Sequence, residues 1–100
     1  MSHYTARMTA IPDTARPRIA SKARLKWDDA RQKHLLLFPE GLLVLNPTAQ
    51  AVLELCDGQR SVADIAKTLG EQYKADVSND VKELLSRLAD KALVVLDANA

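Results

Sequence analysis

Leu35-Leu36-Leu37-Phe38-Pro39-Glu40-Gly41-Leu42-Leu43-Val44-Leu45-Asn46-Pro47 carries two apolar runs of four residues, a tripeptide between them and a polar pair after them. Proline presets a turn torsion and glycine accepts positive φ, so Pro39-Glu40-Gly41 between apolar runs predicts a hairpin. The runs are too short for helices and become paired strands, Gln32 to Phe38 and Leu42 to Leu45. Asn46 and Pro47 then change the period. Asn is a strong N-cap, and Pro is favoured at the first helical position because the amide hydrogen it lacks has no partner there.

Working back towards the N-terminus, Arg24-Leu25-Lys26-Trp27-Asp28 alternates polar and apolar, which predicts a half-buried strand with Leu25 and Trp27 on one face. Asp28, Asp29 and Ala30 read as the turn into the next strand. Residues 1–17, with Pro12 and Pro17, show neither a period of 2 nor one of 3.6. They are expected to form a flexible arm, leaving residues 18–97 as a single domain.

Working forward, Ala49, Val52, Leu55 and Cys56 share a helix face, and Asp57-Gly58 supplies a stop. Ser61 with Asp64 forms a capping-box variant opening a second helix, whose stripe is Val62, Ile65, Ala66 and Leu69 and whose end is expected near Gly70. Ser78 is expected to cap a third helix, with Asp80 favouring its positive end. Val77, Val81, Leu84, Leu85, Leu88 and Ala92 make its apolar face. Leu93 to Leu96 either adds a short strand or closes the core. Three strands followed by three helices argue an α+β domain with three short antiparallel N-terminal strands and a three-helix bundle, similar to a winged helix-turn-helix.

Composition narrows the function. The 100 residues are 47% hydrophobic but only 4% aromatic, so the interior is built from Leu, Val, Ile and Ala. One cysteine, Cys56, allows no internal disulfide and no thiolate zinc site, which points to a reducing, cytoplasmic setting. Four-residue apolar runs are far short of the roughly 20 that span a bilayer. His3 and His34 lack the spacing of a metal site, the three glycines are isolated, and adjacent Asp28 and Asp29 do not converge. The residues nominate no catalytic group, metal or cofactor.

Charge is polarised. Residues 1–33 carry eight Lys or Arg against three Asp, giving +5, and residues 34–100 carry six against ten Asp or Glu, giving −4. A basic leading segment fits a solubilising tail and a guarded strand edge, or an acidic partner. Winged-helix DNA binding is the alternative in another class, but the third helix balances Lys82, Arg87 and Lys91 against Asp80, Glu83 and Asp90, which is no phosphate-seeking surface. A polypeptide partner fits better. A three-stranded sheet leaves at least one apolar strand at an edge, open to an added peptide strand or to a second copy in a structural homodimer.

In order and spacing, Pro17-Arg18, Trp27-Asp28, Leu36-Leu37-Phe38-Pro39-Glu40-Gly41, Leu45-Asn46, Ala49, Val52-Leu53, Leu55-Cys56-Asp57-Gly58, Ser61-Val62, Ile65, Asp80-Val81, Leu84-Leu85 and Leu88 resemble the PqqD family of pyrroloquinoline quinone (PQQ) biosynthesis. The resemblance runs from about Pro17 to Leu96. It departs at Ala92, where the family pattern has glycine, which bears on the end of the third helix. The resemblance implies a non-enzymatic peptide chaperone, a RiPP recognition element, that holds the leader of the precursor PqqA and presents it to the radical SAM enzyme PqqE. It further implies that the leader pairs beside the third strand, Leu42, Leu43, Val44 and Leu45, against the third helix. Val81, Leu84, Leu85 and Leu88 are then candidates for the apolar wall, with Lys82 and Arg87 flanking it. Because a helix buries one stripe in its own core, only some of the four apolar residues are expected to reach the peptide. No cofactor is implied, and the quinone product is not expected to touch the chain.

Overall fold

A computed structural model of the chain describes residues 11–97. Five strands and three helices follow in order: β1 (Arg16–Ile19), β2 (Arg24–Asp28), β3 (Lys33–Phe38), β4 (Gly41–Leu45), α1 (Pro47–Glu54), α2 (Val62–Tyr73), α3 (Ser78–Asp90) and β5 (Val94–Asp97). The architecture is the α+β, winged-helix-like arrangement expected from the sequence: an antiparallel β2-β3-β4 meander followed by three helices. Phe38 pairs with Gly41 across the two-residue turn Pro39-Glu40. At the other hairpin Asp28 accepts from the Ala30 amide at 3.1 Å and from the Arg31 guanidinium, and it pairs with Lys33 across the turn.

A second, two-stranded sheet pairs β1 antiparallel with β5, so the terminal strand does form. The partner is the unexpected part. Arg16-Pro17-Arg18-Ile19 alternates polar with apolar, but over only four residues and with a proline among them, which is tolerated in a short strand at a sheet edge, and here Pro17 is fully buried. Its carbonyl accepts from the Gly58 amide at 2.9 Å. Gly58 takes φ +79°, so the predicted stop after α1 also ties α1 to β1. The expected boundary of the arm is corrected accordingly. Ile11 and Ala15 belong to the core, and the Ala15 carbonyl accepts from the first amide of α2 at Val62. The rest of the expected arm, residues 1–10, lies outside the described residues.

The core is aliphatic. Leu36 from β3, Leu45 from β4, Val52 and Leu53 from α1, Val62, Ile65 and Leu69 from α2, Val81, Leu85 and Leu88 from α3, and Leu93 and Val94 after it form one cluster. Asn46 caps α1 as expected, its side-chain oxygen accepting from Ala49 N at 2.7 Å with Pro47 in the first turn. The Ser61 and Asp64 capping box is complete in both directions, at 3.1 and 3.2 Å. Three local expectations are corrected. Helix α2 runs past Gly70 to Tyr73 because Lys74 takes the left-handed conformation that ends it. Ser78 does not cap α3, since Val77 stands at that position without a side-chain hydrogen bond; Ser78 instead donates its amide and hydroxyl to the Asp76 carboxylate. Trp27 is 46% exposed, its ring edge-on to His34 with centroids 5.0 Å apart, so it does not share the burial expected alongside Leu25.

Candidate functional site

Strand β4 pairs with β3 alone among the described residues, which leaves its other backbone edge open. Asn46 and Pro47 turn the chain directly from β4 into α1, and residues of β4, the start of α1 and α3 face one another. Between them lies a groove of about 250 Å³ lined by Leu43, Val44, Leu45, Asn46, Ala49, Leu84, Arg87, Leu88 and Lys91. A second depression of about 260 Å³ shares Asn46, Ala49, Leu84 and Arg87 with it and adds Thr48, Asp80 and Glu83. The two make one trough along the length of α3.

Strand alternation sets how β4 meets it. Leu45 is buried and Leu43 half-buried, whereas Leu42 and Val44 are 43% and 50% exposed. Along α3, residues three and four apart share a face. Leu84 lines the groove half-buried, with Leu88 at its floor.

The structure divides the residues predicted from the sequence into two groups. Leu43, Val44, Leu45, Leu84, Arg87 and Leu88 come together in the groove, and Leu42 extends the same strand at its exposed end. Val81 and Leu85 are fully buried and serve the core rather than the wall. Lys82 points to the other side of α3, where its ammonium reaches the Asp13 carboxylate at 2.7 Å and pins the segment before β1 to the helix. Asn46, Ala49 and Lys91 line the groove and were missed. The helical spacing from Arg87 to Lys91 carried the signal for Lys91; nothing in the sequence placed the start of α1 beside α3.

Chemically the groove offers backbone donors and acceptors, branched apolar side chains and a few charges. Cys56, the single thiol, is buried beneath α1 with Sγ 3.2 Å from the Val52 carbonyl, and burial pushes its pKa up to about 12, which keeps it protonated and unreactive near neutrality. No group of three His, Cys, Asp or Glu side chains able to hold a metal occurs among the described residues, and none of their helices is long and apolar enough to cross a membrane.

Together these features define a class: a small winged-helix-like α+β domain that presents an open sheet edge to a helix. The profile of the family described as Coenzyme PQQ synthesis protein D (PqqD) matches residues 33–94. A protein of Methylococcus capsulatus named PqqA binding protein is 40% identical over 79 residues, covering 78% of this chain and 84% of its own. The solution NMR structure of the PqqD truncation of Methylobacterium extorquens PqqCD, titled a functional and stand-alone RiPP recognition element, superposes with TM-score 0.74 at 38% identity. It covers 88% of this chain and 97% of that one. The crystal structure of PqqD from Xanthomonas campestris gives 0.52 at 37% identity over 75% of this chain and 87% of that one. The chain belongs to the PqqD family.

Proposed function

We propose that this chain is a non-enzymatic chaperone of PQQ biosynthesis that binds the PqqA precursor peptide as a strand added to β4, held against α3, and presents it to the radical SAM enzyme PqqE. The observation that carries this reading is the groove itself, with an unpaired strand edge on one side and Leu84 and Leu88 on the other. Magnitudes show why both sides are needed. A peptide strand of about five residues gains about five ladder hydrogen bonds at roughly 1 kcal/mol net each. Association costs about 4–15 kcal/mol, so the edge alone does not hold a peptide. Covering Leu43, Val44 and Leu84 supplies the remainder at about 25 cal/mol per Å² of apolar surface. The relatives named PqqA binding protein support the identity of the peptide.

Isothermal titration of the chain with synthetic PqqA tests it. Binding is expected, weakened at least about tenfold by Leu84→Asn, the equivalent of roughly 1.4 kcal/mol, in a variant that stays folded by circular dichroism, and unaffected by Lys82→Ala, since Lys82 faces Asp13. Absence of PqqA binding, or equal loss in both variants, contradicts the reading. Strand pairing between two copies through the same edge would compete, and appears as PqqA affinity that falls as protein concentration rises.

A further inference from the structure

One stripe of α3 carries every charge that lines the trough, and the charges are sorted by sign. Asp80 and Glu83 lie at the end beside Asn46 and Thr48, and Arg87 and Lys91 at the end beside Leu43 and Val44, with Leu84 and Leu88 among them. From Asp80 to Lys91 the helix rises about 16 Å, the length of about five strand residues. None of the four enters an ion pair among the described residues, although Glu83 and Arg87 are four apart on one helix; Lys82, on the other side, does pair. The helix dipole favours the same order of signs, yet it acts equally all round the helix. Lys82, on the opposite face in the first half of the helix, runs against that order, so the dipole does not account for every charge on α3. Among the four charges that line the trough the sorting is complete.

The geometry points to a ligand sorted by charge in the opposite sense, a cationic residue, an apolar strand-forming core and then a carboxylate, with the cation on the N-terminal side. This rests on the strand-addition reading, and the direction follows from the sheet. Every pairing in the meander is antiparallel, and antiparallel pairs are the commoner kind. A strand added antiparallel to β4 begins beside Leu45 and Asn46, at Asp80 and Glu83, and ends beside Leu43, at Arg87 and Lys91. Paired charges of this kind set register and direction more than raw affinity.

Two synthetic peptides test it, sharing one apolar β-branched core of five residues, the first with two Lys before it and two Glu after it, the second with the ends exchanged. Each competes against fluorescent PqqA on the full chain at low salt. The first is expected to compete at least about fivefold better, the difference shrinking as salt screens it. The variant Asp80→Lys, Glu83→Lys, Arg87→Glu, Lys91→Glu is expected to reverse the preference. Should that variant melt early, the milder Glu83→Gln, Arg87→Gln pair is expected to diminish the preference. Equal competition by the two peptides, the opposite preference, or failure of both to displace bound PqqA overturns the inference and leaves the PqqA reading intact. A wild-type chain that does not bind the labelled PqqA overturns both.

Discussion

Ala92 sits at φ +59°, a left-handed conformation that costs a side chain about 1 kcal/mol relative to glycine. It stands there because α3 ends in a paired turn, Ala92 N donating to Ala89 O at 2.9 Å and Leu93 N to Leu88 O at 2.9 Å, which delivers Leu93 and Val94 into the core. Ala92→Gly is therefore expected to raise stability by about 0.5–1 kcal/mol, read as a higher melting temperature. Gly70 behaves oppositely. Helix propensity favours alanine over glycine by about 1 kcal/mol, but a Cβ at Gly70 would meet the Ala75 carbonyl oxygen at 2.9 Å, where the end of α2 folds back. Steric strain wins, and Gly70→Ala is expected to lower the melting temperature, with a loss of roughly 1–3 kcal/mol. Cys56 supplies a pH signature. Its folded value, pushed to about 12 from an ordinary 9.0, means that the unfolded thiol ionises first. The stabilisation is complete below pH 9 and declines between pH 9 and 12 by about 1.4 kcal/mol per unit. Denaturant titrations are expected to show this extra alkaline slope in the wild type and lose it in Cys56→Ala.

At the scale of elements, legibility followed how local the cause was. Asn46, the Pro39-Glu40 turn and the Ser61 and Asp64 capping box are sequence-near devices whose partners lie within three residues, and each is found in place. Strand β1 is held by β5, by the Gly58 amide and by the burial of Pro17, all distant in sequence, and its own alternation spans only four residues with a proline among them. The end of α3 was visible only as a departure, an alanine where glycine was expected. At the start of that helix Ser78 resembles a cap in sequence, yet Asp76 outcompetes it for the role of acceptor, and the hydrogen bonds from Ser78 hold its carboxyl below the usual range. The two serines therefore separate experimentally. Ser61→Ala is expected to cost about 1 kcal/mol, while Ser78→Ala, which leaves the Asp76 acceptor and the backbone donor in place, is expected to cost less than half as much. Thermal melts of both variants check this.

For the whole molecule, the meander and the helical bundle leave one strand edge turned towards one helix. The sequence indicated through its short apolar runs that a sheet edge must exist, whereas the choice of Leu42, Leu43, Val44 and Leu45 came from the resemblance to the PqqD family, because a run that is apolar on both faces does not say which strand lies at the edge. It could not sort the α3 face. Val81, Leu85 and Leu88 repeat at core spacing, and which of them reach the trough depends on how α3 rolls against β4 and α1; of the three, Leu88 lines it. Lys82 was misplaced for the same reason, one residue past Val81 and turned towards Asp13. Strand addition at β4 is reported directly by the amide hydrogens of that strand. In an antiparallel pair successive N–H groups point alternately to the partner and away, so in the free chain β4 has protected and unprotected amides in turn. Hydrogen exchange followed by NMR, with and without PqqA, is the measurement. The outward amides of β4 are expected to become protected when PqqA is bound, with an alternation of two residues and without a comparable change along β2. PqqA binding that leaves those amides exchanging as before would contradict strand addition.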